Sequence, residues 1–181
     1  MTRQSTPDLC VIGAGAGGLS IAAGAAALGV SVTLVEKAAM GGECLNSGCV
    51  PSKALIAAAR AAQTMREAAR FGVRAHEPSV DYGRAHAHIH EVIAAIAPND
   101  SEARFAAMGV EVIRAPGRFV DPRTLVAGDV EIRARRFIVA TGSQPARPPI
   151  PGLDLVHWHT NETIFDLRAL PEAHRDSGAA A

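Results

Sequence analysis

Two cysteines lie close together in the segment GGECLNSGCVPSK, residues 41–53. Cys44 and Cys49 are five positions apart, and on a regular helix this spacing leaves roughly 8.6 Å between their Cα atoms and about 140° around the axis. A disulfide needs Cα atoms about 4.4–6.8 Å apart, so a bridge requires the segment to leave regular helical geometry. Gly48 and Pro51 favour such a departure, because glycine tolerates unusual φ values and proline disfavours helical geometry in the residue before it.

The residues alone leave three interpretations of this cysteine pair open: a redox disulfide, two free structural thiols, or part of a metal site. A strained and accessible disulfide is the labile kind that serves in catalysis. A metal site needs further cysteine or histidine ligands at a recognisable spacing, and none lies nearby, so we expect no metal. His86 and His90 are one helical turn apart, but we expect them on a solvated or interfacial face, and Glu43 at the surface.

A glycine-rich turn near the start of the chain is the second group of candidate residues. Gly13, Ala14, Gly15 and Gly18 fit the pattern G-x-G-x-x-G between an apolar run and a helical segment. The first glycine allows the tight turn, the second lets a pyrophosphate approach the backbone, and the third lets helix and strand pack closely. The free N–H groups and the dipole at the start of the helix attract phosphate, so the turn predicts a dinucleotide site.

Glu36 supports the same prediction. It ends the second apolar run, 18 positions after Gly18, where a carboxylate can accept hydrogen bonds from a ribose diol. A purely structural glycine turn is the alternative, but the strand, the helix and this carboxylate together favour a dinucleotide. Both FAD and NAD satisfy this part of the sequence.

The elements that must position these residues predict an α/β fold. Residues 9–12 and 30–35 are short apolar runs typical of buried parallel strands, and the alanine-rich segment 16–28 predicts a helix between them. These three elements form a right-handed β-α-β unit. Further helices are predicted over 51–71, 82–97 and 101–108, a strand over 110–113, an antiparallel meander over 117–120, 124–127 and 130–134, and a return strand over 137–140.

Composition limits the class of protein. The 181 residues carry no formal net charge and 48% hydrophobic residues, which indicates a globular chain without a nucleic-acid partner. No charged residue occurs in 9–35, but six glycines interrupt this stretch, which argues against a membrane span or a signal peptide. Three cysteines are too few for a secreted disulfide scaffold, so we expect a cytoplasmic protein that binds no membrane.

The cysteine segment resembles the redox site of the class I pyridine nucleotide-disulfide oxidoreductases, the family of dihydrolipoamide dehydrogenase, glutathione reductase and mercuric reductase. It begins about 30 residues after the glycine-rich turn, and the resemblance extends over roughly residues 8–171. The family's motif positions are occupied by Gly41, Gly42, Cys44, Gly48, Cys49 and Pro51. The resemblance implies a Rossmann-like FAD-binding domain with a parallel sheet and a small antiparallel meander.

The resemblance also implies roles for individual residues. Cys44 corresponds to the interchange thiol that exchanges with substrate, and Cys49 to the thiol that faces the flavin and forms the charge-transfer complex. Lys53 corresponds to the lysine beside the flavin N5 edge. Lys37 and Lys53 are the only lysines among 18 basic residues, and both occupy motif positions. Glu43 departs from the family, which usually has threonine there.

Two later segments resemble flavin-contacting parts of the family. Thr141, Gly142 and Ser143 follow the return strand and match the second flavin-domain motif, where the backbone passes near the FAD. Gly117 matches the position at which the main chain contacts the adenine. The full set of implied FAD-binding residues is Gly13, Ala14, Gly15, Gly18, Glu36, Lys37, Gly41, Gly42, Cys44, Lys53, Gly117, Thr141, Gly142 and Ser143.

The implied activity is FAD-dependent oxidation or reduction of a sulfur group, with NAD(P)H as electron partner and a role in cell redox homeostasis. Residues 1–150 are then expected to form an incomplete FAD-binding domain, and residues 151–181 a connector toward a missing NAD(P)-binding domain. Expected substrates are small-molecule or protein-bound disulfides and dithiols, or mercuric ion, and full-length family members are expected to be homodimers. The alternatives are a truncated, catalytically silent fragment that at most binds FAD, and an NAD-dependent dehydrogenase domain in which the cysteines have no role.

Overall fold

A computed structural model describes residues 2–171, which form strands, α-helices and short 3-10 turns. The strands are β1 (Arg3–Ser5), β2 (Leu9–Ile12), β3 (Val32–Val35), β4 (Glu111–Ile113), β5 (Gly117–Asp121), β6 (Thr124–Ala127), β7 (Val130–Ile132) and β8 (Arg136–Val139). The helices are α1 (Ala16–Ala27), α2 (Gly42–Asn46), α3 (Cys49–Glu67), α4 (Tyr82–Ile96) and α5 (Glu102–Ala107). The 3-10 turns are Ala68–Phe71, Ala97–Asp100, Leu153–Leu155 and Ile164–Asp166.

The strands form two four-stranded sheets. One sheet is parallel, with the order β4-β3-β2-β8. The other has the order β1-β7-β6-β5, in which β5, β6 and β7 form an antiparallel meander and β1 runs parallel to β7. The predicted α/β fold, with a parallel sheet and a small antiparallel meander, is therefore confirmed.

Both faces of the parallel sheet are covered, which explains why its strands are continuous apolar runs. Val11 and Leu34 point to one face and pack in a cluster with Leu19 of α1 and Phe105 of α5. The alternate residues, including Val35, point to the other face and pack against the meander. The core thus lies in two layers on either side of β2 and β3.

The β1 strand was not predicted, because Arg3–Ser5 is polar and shows no apolar alternation. Its partner β7 defines it, through a parallel register from Arg3 opposite Val130 to Ser5 opposite Ile132. The other predicted strands and helices are present with ends shifted by a few residues. The largest difference is in the predicted helix 51–71, which begins at Cys49 and changes to a 3-10 turn after Glu67.

The two longest helices, α3 and α4, pack against each other, and α4 also contacts α2 and the turn Ile164–Asp166. Ile89 is buried on the inner side of α4. None of the helices between residues 2 and 171 has both the length and the apolar character needed to span a bilayer.

Candidate functional site

A groove of about 550 Å³ lies at the carboxyl ends of the parallel strands. Residues that directly follow β2, β3 and β8 line it, and this edge of a parallel sheet is where α/β proteins bind ligands. Eight of the residues predicted to bind a cofactor meet here: Gly13, Gly15, Glu36, Lys37, Gly42, Thr141, Gly142 and Ser143.

The first glycine of the turn occupies a position that excludes any side chain. Gly13 has φ +105°, and a Cβ there would overlap the carbonyl oxygen of Ala140, at the end of β8. The Gly13 N–H donates a hydrogen bond of 2.8 Å to the Val35 carbonyl, which ties the turn to β3. A Cβ at Gly18 would overlap the Gly13 carbonyl oxygen. The turn, two strand ends and α1 therefore approach one another at distances that glycine alone allows.

The cysteine helix begins against this turn. A Cβ on Gly42 would lie 2.5 Å from the Gly15 Cα, so the two backbones are in direct contact. The Gly41 N–H also donates a hydrogen bond of 2.9 Å to the Ala14 carbonyl. Because Cys44 lies two residues into α2, this backbone contact places the helix that carries Cys44 against the glycine turn.

The start of α1 offers free donors at the groove. Gly15 is the N-cap residue, and no side chain caps the helix. Ala16 and Gly17, the first two residues of α1, are exposed. The first N–H groups of a helix have no partner within it, so they are available to an anion in the groove.

Glu36 is buried, with 8% of its surface exposed. One carboxylate oxygen accepts a hydrogen bond of 2.6 Å from the Ala14 N–H, and the other accepts one of 2.6 Å from the Ala38 N–H. The carboxylate thus fastens the glycine turn to the loop after β3, a role that the sequence did not indicate. Glu36 also lines the groove, and each of its oxygens keeps a further acceptor position, because a carboxylate has about four lone-pair positions.

The two cysteines lie on different helices. Cys44 is in α2, Cys49 begins α3, and the chain between them leaves helical geometry, as their spacing requires for a close approach. A Cβ at Gly48 would lie 3.4 Å from the Cys44 Cα and 3.0 Å from the Glu43 carbonyl oxygen, so the break fits glycine closely. Both cysteines are free thiols; Cys44 is half-buried and Cys49 is exposed.

The thiols interact with each other. A hydrogen bond to Cys49, with burial as the second cause, raises the pKa of the Cys44 thiol, while the nearby Lys53 ammonium acts in the opposite direction. Burial within β2 raises the pKa of Cys10 to about 12, which leaves that cysteine inert.

A later stretch of the chain also reaches the groove. Glu43 is exposed, as expected, and one of its carboxylate oxygens accepts a hydrogen bond of 2.9 Å from the Asn161 side-chain amide. The next residue, Glu162, lines the groove. Sequence reasoning missed this approach, because residues 157–163 carry no motif that links them to the turn. The other lining residues that it missed are Ala38, Ala39, Asn46, Ser47, Ala140 and Gln144, which all lie within two positions of motif residues.

Other predicted residues lie outside the groove lining. Gly117 begins β5, where a Cβ would lie 3.2 Å from Leu125 and 3.4 Å from Val35. Lys53 is exposed in α3, and Ala14 is fully buried beneath the turn. The remaining predicted residues outside the lining are Gly18, Gly41, Cys44 and Cys49. Within residues 2–171 no cluster of three or more His, Cys, Asp or Glu side chains is arranged to hold a metal ion.

Comparison with known proteins gives consistent matches. Residues 7–177 match the family described as pyridine nucleotide-disulphide oxidoreductase. A mercuric reductase of Streptomyces lividans is 37% identical over 171 residues, which cover 91% of this chain and 36% of the relative. A dihydrolipoyl dehydrogenase 2 of Haloarcula marismortui is also 37% identical, over 91% of this chain and 36% of its own length.

A solved structure agrees. The Cu(II) complex of the HOCl-induced flavoprotein disulfide reductase RclA from Escherichia coli superposes with a TM-score of 0.72 at 27% sequence identity. The match covers 90% of this chain and 34% of that protein. The chain therefore spans about a third of the length of the relatives that it matches.

Proposed function

Because the chain belongs to the pyridine nucleotide-disulphide oxidoreductase family, we propose that it supplies the FAD-binding turn and the redox dithiol of an enzyme that moves electrons between NAD(P)H and a disulfide. Members of this family bind FAD, use NAD(P)H and act on disulfide substrates. The observation that carries the proposal is the backbone contact between Gly42 and Gly15, which brings the Cys44 helix against the dinucleotide turn.

The groove residues fit FAD. The uncapped N–H groups at the start of α1 suit the pyrophosphate. The glycines of the turn have no side chains, which leaves room for the pyrophosphate to approach the backbone. Glu36 has acceptor positions for the ribose diol, and Thr141, Gly142 and Ser143 also line the groove. When bound, FAD supplies the transfer of an electron pair between a nicotinamide and the dithiol.

The dithiol carries the exchange with substrate. The Cys44 thiol loses its proton, and the thiolate attacks one sulfur of the substrate disulfide, which releases one substrate thiolate and forms a mixed disulfide. The Cys49 thiolate then attacks Cys44, releases the second substrate thiolate and leaves a Cys44–Cys49 disulfide. Two protons from the cysteines complete the two product thiols, so the dithiol is oxidised by two electrons and the substrate is reduced by two.

The surroundings of Cys44 act on its proton in two directions. The hydrogen bond with Cys49 favours the protonated form of Cys44, and that proton must leave before exchange begins. Lys53 lowers the pKa of Cys44, since a nearby cation favours the thiolate. We propose Cys44 as the interchange thiol, Cys49 as the flavin-side thiol, and Lys53 as the cation that serves both.

The substrate class, partners and division of the chain are part of this proposal. We propose a disulfide or dithiol substrate, with mercuric ion as a further candidate because one relative is a mercuric reductase. Residues 1–150 then bind FAD and residues 151–181 lead to an NAD(P)-binding part, in an enzyme that works as a homodimer in the cytoplasm. Residues 172–181 of that connector lie outside the described residues.

Alkylation of the thiols tests the redox pair. In the 181-residue chain, the rate of Cys44 carboxamidomethylation by iodoacetamide is followed against pH by peptide mass spectrometry. Cys49→Ala removes the largest cause of the raised Cys44 pKa, so we expect the half-maximal rate at lower pH and a several-fold faster reaction near neutrality. Lys53→Met is expected to move the profile slightly the other way.

Lys37→Met is the matched control, because it removes the other lysine of the chain and is expected to leave the Cys44 profile unchanged. An unchanged profile in Cys49→Ala would show that the two thiols are uncoupled and would refute the redox pair. Titration of the chain with FAD, monitored by flavin fluorescence and circular dichroism, tests the proposed FAD site separately from the thiols. A folded chain that binds no FAD while its thiols stay coupled would contradict the flavin site alone.

A further inference from the structure

His86 and His90 form a pair of converging imidazoles on α4. Their Nε2 atoms lie 3.0 Å apart, and the ring centroids are 4.4 Å apart. His90 is exposed and His86 is half-buried, so both rings are open to solvent. The sequence predicted a solvated or interfacial face for these residues, and the structure adds that two ring nitrogens meet at one point on it.

We propose that His86 and His90 chelate a divalent transition metal ion, Cu(II) in preference to the others, at the surface of α4. Histidines one helical turn apart lie on the same face, as in helical sites where a pair at i and i+4 binds zinc. Neutral imidazole is the commonest metal ligand in proteins, and here two such groups are held by one rigid helix.

The separation of the two nitrogens fits a shared ion. With metal–nitrogen bonds of about 2.0–2.1 Å, nitrogens 3.0 Å apart subtend about 91–97° at the metal. Neighbouring ligands in square-planar and octahedral complexes make this angle, whereas a tetrahedral ion would need a separation of about 3.3 Å. The two rings can therefore share one ion, and their separation lies nearer the value for a square-planar or octahedral ion than the value for a tetrahedral one.

The order of metal affinities leads to the same ion. Among divalent first-row metals, nitrogen sites bind Cu(II) most tightly, and Cu(II) accepts tetragonal nitrogen and oxygen ligands. Among the described residues no third His, Cys, Asp or Glu completes a cluster, so water occupies the remaining positions. The site is consequently open, bidentate and exchangeable.

The metal takes the position of the shared hydrogen. At 3.0 Å the two Nε2 atoms share one hydrogen in the free protein, donated by one ring and accepted by the other. When both rings carry their proton on Nδ1, both Nε2 lone pairs face the shared point and can bind one cation. Binding of Cu(II) therefore needs the donating ring to change tautomer, with its proton moving from Nε2 to Nδ1 and no net proton released from the neutral pair, and small rotations of the two side chains.

Electron paramagnetic resonance with CuCl2 tests the site in the 181-residue chain. The Cys44→Ser/Cys49→Ser double variant serves as background, so that the redox thiols neither bind nor reduce copper. We expect one equivalent of Cu(II) in an axial spectrum with coupling to two nitrogens. His86→Gln or His90→Gln should weaken Cu(II) binding by at least about tenfold. Even the mutation of a residue that only hydrogen-bonds to a metal ligand typically lowers metal affinity by about 10–100-fold.

The chain offers matched controls. His88→Gln removes an exposed histidine two positions from each ligand, and His157→Gln/His159→Gln removes another adjacent ring pair, whose centroids are 4.6 Å apart. Both variants should retain the two-nitrogen spectrum. Equal weakening in His88→Gln, or survival of the spectrum in both His86→Gln and His90→Gln, would overturn the proposal.

A second measurement tests the site with all histidines in place, so its result does not depend on whether the histidine variants fold. In the same double-serine background, diethyl pyrocarbonate modification is mapped by mass spectrometry with and without one equivalent of Cu(II). Selective protection of His86 and His90 is expected, with His88 still modified. Protection spread evenly over all the histidines would contradict the chelate.

Discussion

Two carboxylates at opposite ends of the parallel sheet show how position decides what a side chain does. Glu36 follows the carboxyl end of β3 and accepts hydrogen bonds from two backbone N–H groups. Glu111 begins β4 and accepts hydrogen bonds from the Ser5 and Thr33 hydroxyls, at 2.6 and 2.8 Å, and from the Arg3 guanidinium. Both are held in place by charged hydrogen bonds, but their partners differ in kind.

The difference follows from the direction of the strands. At the carboxyl edge, strand ends and the start of α1 present free N–H groups, so a carboxylate there organises backbone around a groove. Glu111 lies away from that edge, where it joins β1 of one sheet to β3 and β4 of the other. The comparison teaches that one end of the sheet forms a groove and that the other end holds the two sheets together.

Gly13→Ala should give the largest effect, because it strains the groove end directly. The residue has φ +105°, and its new Cβ would overlap backbone at Ala140, so we expect a loss of about 3 kcal/mol or more in the free energy of unfolding. Gly17→Ala is the control, with no atom within 4 Å of the new Cβ and an expected gain of up to about 1 kcal/mol. Urea denaturation followed by circular dichroism measures both. Equal stability of the two variants would contradict the close packing described for the turn.

Glu36→Gln should have an intermediate effect, which lowers both the free energy of unfolding and the affinity for FAD. The amide has one acceptor oxygen, so one of the N–H groups of Ala14 and Ala38 loses its partner, at a cost of about 1–3 kcal/mol. If the carboxylate also holds the ribose, FAD affinity should fall by about tenfold to a hundredfold, the value of a charged hydrogen bond. Fluorescence titration with FAD measures this. Glu43→Gln, on the exposed rim of the same groove, should change affinity much less, and an equal loss in both variants would argue against a specific role for Glu36.

Glu111→Gln should have the smallest effect, and on stability alone. Burial by itself raises the pKa of Glu111, but the hydrogen bonds from Ser5, Arg3 and Thr33 outweigh it and hold the pKa below its usual 4.5. A folded-state pKa that is lowered stabilises the protein above the unfolded-state value, and this contribution disappears as the pH falls through the folded value. We therefore expect the variant to be about 1 kcal/mol less stable at pH 7, since the group is partly exposed.

Urea denaturation at several pH values checks this prediction. The gap between wild type and Glu111→Gln should shrink as the pH falls below about 4.5 and close below the lowered pKa. FAD affinity should stay at the wild-type value, in contrast to Glu36→Gln. A gap that is independent of pH would show that packing, not the charge of Glu111, stabilises the contact between the sheets.

Local patterns were enough to predict most of the elements, and eight of the residues that they picked out line one groove. The glycine spacing, the apolar runs and the alanine-rich helix indicated the β-α-β unit, because each of these signals lies within a few neighbouring residues. β1 was missed, since three polar residues become a strand only when β7 provides hydrogen-bond partners. The approach of Asn161 to Glu43 was missed for a related reason, as 118 positions separate the two residues.

The sequence by itself determined the family, the glycine turn and the cysteine pair, because residue types at fixed spacings carry that information without any long-range contact. Only the tertiary structure decided that Gly42 touches Gly15 and that Glu36 fastens the turn to the loop after β3. It alone also brought the nitrogens of His86 and His90 to 3.0 Å. These are distances between atoms that the chain must fold to bring together, and chemistry at a site depends on such distances.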